Sequence, residues 1–307
     1  MEAKWLEDFL SVARSGNFSQ SAQERHVTQS AFSRRIKALE QWVGVALIDR
    51  SSYPTRLTPA GERFREVANA TLTSLLRTRE DLRRARDGGG RPLRVSVQHS
   101  LAGDFLIGWL ARLPLEKDAR LVRAKADNLH DCLRDMEEGN ADVLICYAHT
   151  ALAFELDKTR YPSLKLADET LSAYCRADES GAPIHSLQRA ALEPGVLRSV
   201  PLLAYSADAF LGRAAMLAIE PLRSVVTLHA VFECALADAL RAAAVAGLGV
   251  AWLPSRLAEA DLTQGRLVRA GDSITDIPLQ LRLTAHGVHL VEQRPALWRA
   301  IQNMSLG

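Results

Sequence analysis

Residues 27–40 read Val27-Thr28-Gln29-Ser30-Ala31-Phe32-Ser33-Arg34-Arg35-Ile36-Lys37-Ala38-Leu39-Glu40. Thr28 is placed to cap a helix that starts at Gln29. At 100° per residue, Phe32, Ile36 and Leu39 fall within an arc of ~60°, an apolar keel. Gln29, Ser30, Ser33, Arg34 and Lys37 occupy an arc of ~140° that faces away from it. A helix with that polar face can lie in the major groove of double-stranded DNA. Amide and guanidinium groups pair there with purine edges, hydroxyls with either base, and cations with phosphates. The flanking sequence fits the same purpose. Trp5, Leu6, Phe9, Leu10 and Ala13 make one apolar face of a first helix that ends near Gly16, and residues 19–25 form a short second helix. Val27-Thr28 is the turn. Residues 45–50 and 56–58 look like the two strands of a wing. Residues 1–58 are therefore expected to be an all-α-plus-wing, winged helix–turn–helix unit. Gln29, Ser30, Ser33 and Arg34 would read bases, and Lys37, Arg50 and Arg56 would mainly hold phosphates.

Beyond this unit the pattern lengthens. Thr58 and Pro59 suit the N-cap and first position of a helix over 59–87, on which Phe64, Ala68, Leu72, Leu75 and Leu82 form a narrow apolar stripe. A long helix with such a stripe wants a partner helix, so self-association is expected, with packing on its own domain as the alternative. Three glycines followed by Arg91-Pro92 read as a hinge over 88–92. Charge divides at the same place. Residues 1–90 hold 15 Lys and Arg against 11 Asp and Glu, while the whole chain is only +2. A mildly basic front end on a mildly acidic body suits a polyanion-binding module joined to something else.

Residues 93–307 alternate between strand-like and helical segments. Strands are expected at 93–97, 121–125, 143–146, 201–205, 225–229, 248–253 and 279–284, with helices at 100–113 and 129–138 and a terminal helix carrying Leu297, Trp298, Ile301 and Met304. That alternation implies βαβ crossovers, a mostly parallel sheet, and enough chain for two small lobes. The 307 residues are 48% hydrophobic and 24% charged, which excludes collagen-like, disordered and disulfide-stapled classes. The longest apolar run, 242–254, is too short to span a bilayer, and no basic-then-apolar leader precedes Trp5. Cys132, Cys146, Cys175 and Cys234 lack paired spacing, as in a chain of the reducing cytoplasm. A cytoplasmic chain with no membrane partner is expected.

Phe18-Ser19-Gln20-Ser21-Ala22, residues 27–40, Leu47-Ile48-Asp49-Arg50 and Leu57-Thr58-Pro59-Ala60-Gly61 together resemble the amino-terminal signature of LysR-type transcriptional regulators. Residues 138–143 and 247–254 resemble that family's later turn and strand motifs. The resemblance implies a linker helix that pairs protomers and a two-lobed α/β effector domain of periplasmic-binding-protein type. It also implies homodimers and homotetramers on inverted-repeat promoter DNA, switched by a small-molecule effector. Residues 2–10, 99–101, 205–206, 212–213 and 250–254 are further similar to hypochlorite-responsive members, which sense oxidant through methionine oxidation. This chain has only four methionines, and Leu211 stands where the methionine is expected.

In a two-lobed α/β domain the ligand sits between the lobes, against strand ends and helix amino termini. Ser100, Leu101, Tyr147, Tyr205, Ser206, Phe232 and Cys234 are the candidates, around the cleft that the resemblance implies. Ser100 could instead cap its helix, and the tyrosines could be core residues with satisfied hydroxyls. Cys234 would react with oxidants if a helix amino terminus lowered its pKa, although free cysteines commonly serve as small buried hydrophobes. Cys146 and His149 have a metal-like spacing without a second pair, and Gly247-x-Gly249 lacks the third glycine of a dinucleotide loop. No cofactor, metal or catalytic site is expected, and the chain reads as a regulator rather than an enzyme. The alternative within this class is an oxidant-responsive regulator switched at Cys or Met.

Overall fold

The computed structural model describes residues 2–51, 54–86, 91–113, 121–154, 156–187, 198–224 and 226–305. Two compact units emerge, Met1–Arg91 and Pro92–Gly307. Gly88 to Gly90 of the expected hinge, Ser52-Tyr53 and Val225 lie outside the described residues.

The first unit is built from α1 (Ala3–Ser15), α2 (Phe18–Glu24), α3 (Gln29–Val43), the wing strands β1 (Ile48–Asp49) and β2 (Arg56–Leu57), and α4 (Pro59–Arg86). Local chemistry sets each boundary. Gly16 and Gly44 adopt left-handed φ of 61° and 86° and end α1 and α3. Asn17 caps α2 by accepting from the Ser19 and Gln20 amides at 2.9 and 3.2 Å, and Thr28 caps α3 by accepting from Ala31 N–H at 3.3 Å. His26 takes the left-handed φ of 54° that the turn between them needs. Thr58 accepts from Gly61 N–H at 3.0 Å and so opens α4 at Pro59. Phe9, Phe32, Ile36 and Leu39 are fully buried in one core, with Phe18 edge-on to Phe32 and Phe64 edge-on to Phe9. The α4 stripe divides in two. Phe64 and Ala68 pack on this core, whereas Leu75 and Leu82 are 52% and 67% exposed.

The second unit carries a seven-stranded sheet in the order β10-β6-β11-β5-β3-β4, with β9 also on β6. Its strands are β3 (Leu93–Gln98), β4 (Val122–Asp127), β5 (Val143–Ala148), β6 (Ser163–Arg176), β9 (Ala251–Pro254), β10 (Leu267–Arg269) and β11 (Ile277–Ala285). A separate parallel pair, β7 (Arg198–Ala204) and β8 (Val226–Glu233), belongs to the second lobe. The helices are α5 (Asp104–Arg112), α6 (Leu129–Glu137), α7 (Phe210–Ile219), α8 (Ala237–Val245), α9 (Ser255–Thr263) and α10 (Pro295–Ser305).

The mostly parallel sheet expected from the alternation needs correcting. Only β3 with β4 and β3 with β5 are parallel in the large sheet. The others meet antiparallel because β6 and β11 run back across it. β6 was not anticipated. It pairs with β11 at its start and with β9 and β10 at its end, so it belongs to both lobes. The helix expected at 100–113 is a 3-10 turn over His99–Leu101 followed by α5.

Candidate functional site

On α3 the Gln29, Ser30, Arg34 and Lys37 side chains are exposed and Ser33 is half-buried, opposite a keel of zero exposure at Phe32, Ile36 and Leu39. Among the described residues Arg34 Nε reaches only the Ser30 carbonyl one turn back, at a long 3.4 Å, which leaves the guanidinium available. The helix is anchored from behind by Asp8, which is fully buried on α1. Its carboxylate accepts from Arg25 Nε at 2.9 Å and Arg35 Nη1 at 3.2 Å, tying the end of α2 and the middle of α3 to α1. Asp8 carries no motif of its own, and only the two partner arginines 17 and 27 residues on could have hinted at it.

The wing is held by Glu40, another residue that periodicity does not single out. One of its oxygens accepts from the Leu47 and Ile48 amides at 2.9 and 3.1 Å, and the other pairs with Arg50 at 3.0 Å. Arg50 also lies 5.2 Å from the Phe18 ring centroid. It is thus a partnered cation that braces wing against helix, and any phosphate contact must compete with Glu40. Arg56 is exposed and faces Asp49 across the wing, an opposite-charge cross-strand pair.

In the second unit a narrow cleft runs between the lobes. The amino termini of α6, α7 and α8 border it through Asn128-Leu129, Ala209-Phe210 and Ala237. None of the three termini has a side-chain cap among the described residues. Their first-turn N–H groups and positive dipole ends therefore face one space, an arrangement that favours an anion. Asn128 Nδ2 donates to Asp208 Oδ2 at 3.2 Å and clasps the lobes together. The space between them is open on one side and narrow, about 20 Å³, close to that of one water-sized species.

Of the residues expected at this cleft, Ser100 borders it. Leu101 is buried in the core, and Phe232 is exposed on β8. Tyr147 and Tyr205 are core residues. Tyr205 Oη donates to the Trp252 carbonyl at 2.9 Å, and the Tyr147 amide donates to Gln98 Oε1 at 2.6 Å. Burial holds both phenols above their ordinary pKa. Ser206 and Cys234 do not line the cleft; Ser206 N–H donates to the Cys234 carbonyl at 3.4 Å. Asn128, Asp208 and Phe210 were missed, because a helix start shows in sequence but its direction does not. Leu211 does line the cleft, without sulfur, while Met216 is 39% exposed on α7. Burial raises the Cys132 thiol to about 11 and also pushes Cys146 and Cys175 up, which keeps all three protonated. Cys234 is half-buried.

Among the described residues no helix is long and apolar enough to cross a membrane. Residues 3–62 match the bacterial regulatory helix-turn-helix protein model of the lysR family, and residues 86–296 match the LysR substrate binding domain. The chain is 28% identical to the HTH-type transcriptional regulator YjiE of Escherichia coli K12, over all of its own length and 96% of that protein. Among solved structures it resembles Vibrio fischeri DarR in complex with DNA, at 29% identity and a TM-score of 0.63, covering 99% of this chain and 98% of that one. It also resembles full-length HypT of Salmonella typhimurium, a hypochlorite-specific regulator, at 26% identity and a TM-score of 0.61, covering 100% and 98%. With both domain models matched across most of its length, the chain belongs to the LysR family of DNA-binding transcriptional regulators.

Proposed function

We propose that this regulator reads an inverted-repeat promoter site through Gln29, Ser30, Ser33 and Arg34, with Lys37 and Arg56 on the phosphates and Arg50 bracing the wing. The observation that carries this reading is the exposed Gln29–Ser30–Arg34–Lys37 face set against a fully buried keel. Two copies pair through the outer half of α4, where exposed Leu75 and Leu82 continue the stripe beyond its own core, and pairs of dimers form the tetramer. The division of labour follows the sequence: DNA binding in 1–58, pairing in 59–87, a hinge at 88–92 and effector response in 93–307. The protein works in the cytoplasm and catalyses no reaction.

The effector is a small anion taken up between the lobes. Three uncapped helix amino termini support that charge preference. An effector acts by preferring one lobe arrangement over the other, which shifts the assembly between DNA-bound geometries. Asn128–Asp208 is the contact that an opening motion breaks. The oxidant-responsive alternative has its support in the likeness to HypT. Against it stand Leu211 in the cleft and three thiols held protonated by burial. Operator footprinting of the wild type and an Arg34→Ala variant tests the proposal. Loss of discrimination between operator and random DNA in the variant is expected, and unchanged discrimination by a folded variant refutes the base-reading role.

A further inference from the structure

β11 is an interior strand of the sheet, flanked by β5 and β6. It runs antiparallel to both, and such strands commonly turn one apolar face to the core and a polar face outward. Leu281 and Leu283 are fully buried on one face, while Gln280, Arg282 and Thr284 alternate onto the other. The β11–β6 ladder shifts register between Leu281 and Arg282, an irregularity of the kind that re-aims side chains. On the polar face Arg282 Nε donates to Ser163 Oγ at 3.1 Å, and Nη1 donates to Gln280 Oε1 at 3.1 Å. Thr284 Oγ1 donates to the same Ser163 Oγ at 3.2 Å. These partners are neutral, so they orient the guanidinium without cancelling its charge. Asp168 at the rim is taken by Lys165 at 2.7 Å.

Above this floor Leu152, Phe154, Leu156 and Tyr161 form an apolar roof. The pocket between them, open to solvent on one side, measures about 520 Å³, against about 20 Å³ in the cleft between the lobes. The larger volume lies within the roughly 300–1,000 Å³ usual for small-molecule sites. Tyr161, only 4% exposed, lines the cavity with a hydroxyl that has no hydrogen-bond partner among the described residues. A buried hydroxyl in that state is uncommon in a finished core.

We propose that this cavity is a second ligand site, for a small organic acid. Its apolar body lies under Leu152, Phe154 and Leu156, and its carboxylate lies on Arg282. A planar guanidinium held by neutral acceptors is suited to a carboxylate through charge-assisted hydrogen bonds. The site is distinct from the cleft between the lobes, with which it shares no lining residue, and it does not depend on that cleft's ligand. Its regulatory consequence comes from β6. Ser163 begins the strand that continues into the second lobe, so an acid bound at Ser163 and Arg282 stiffens the connection about which the lobes move.

The test is calorimetric titration of the full-length protein with octanoate, and with octanamide as the uncharged comparator. Octanoate is expected to bind about tenfold or more tightly than octanamide. Arg282→Gln should remove that preference, and Leu156→Trp should weaken both ligands by filling the cavity, whereas octanoate held in the cleft between the lobes would respond to neither. If R282Q fails to fold, L156W still locates the site. Failure of octanoate to bind at millimolar concentration overturns the proposal. So does equal binding of the two ligands or insensitivity to L156W.

Discussion

Replacing Asp8 with Asn keeps the shape of a fully buried side chain while deleting the charge that holds two arginines. In the wild type its carboxylate takes Arg25 at 2.9 Å and Arg35 at 3.2 Å. Breaking a buried ion pair by removing one partner costs about 3–5 kcal/mol. Here the arginine side chains keep 29% and 28% exposure and can rehydrate in part, which lowers the expected loss to about 2–3 kcal/mol. In a domain of the size of Met1–Arg91, each kcal/mol moves the unfolding midpoint by about 4–8 °C. Asp8→Asn should therefore lower the first unit's transition by about 10–20 °C and leave that of Pro92–Gly307 unmoved. Differential scanning calorimetry of the full chain reads both transitions. Operator affinity should fall with it, since Arg35 lies on α3. A shift of less than about 2 °C would show that Asp8 does not anchor the recognition helix.

Other outcomes follow from the same geometry. Arg34→Ala should cost about 1–3 kcal/mol on operator DNA with little change on random DNA. Lys37→Ala should weaken both alike and reduce the slope of log affinity against log salt by about one, as gel-shift titrations would report. Gly249→Ala would place a Cβ 2.5 Å from the Pro201 carbonyl oxygen, which already accepts from Val250 N–H at 2.9 Å. A loss of about 1–3 kcal/mol confined to the second unit's denaturation curve is expected. At Asp261, burial raises the carboxyl pKa, but hydrogen bonds from Arg241 and Arg266 outweigh it and hold it below 3.8. Its stabilisation is thus present above that value and lost as pH falls through the lowered one. Asp261→Asn should destabilise the protein at neutral pH and flatten the acid limb of its stability profile. Iodoacetamide on the native protein should label Cys234 and spare Cys132, Cys146 and Cys175, as peptide mass spectrometry would show.

The recognition helix was legible because everything that defines it is local. Thr28 caps it, Gly44 ends it, and the Phe32, Ile36 and Leu39 spacing chooses which face turns outward. The wing showed through Leu47 to Arg50, but the residue that holds it, Glu40, did not, since helix periodicity says nothing of a carboxylate reaching amides seven and eight residues on. The effector cleft was harder for the same reason on a larger scale. Its walls come from β3, α6, α7 and α8, brought together by the two-lobe path of β6. That strand mixes Lys165, Asp168 and Glu169 into an apolar run and so escapes an alternation count. Tyr147 and Tyr205 sit on strand ends, as expected, yet turn into the core, where Trp252 supplies a carbonyl to the Tyr205 hydroxyl. The glycine pair 247 and 249, which lacks the third glycine of a dinucleotide loop, forms a turn into the buried strand β9. Gly249 is needed because β7 passes too close for any Cβ.

The central claim is that the exposed face of α3 selects a DNA sequence. Capture of genomic fragments by the purified full-length protein at physiological salt, sequenced against a no-protein control, tests it most directly. Enrichment of an inverted repeat near a promoter, abolished by Arg34→Ala, is the predicted result. Indiscriminate capture that disappears with a modest rise in salt, with or without a small anion present, would contradict it.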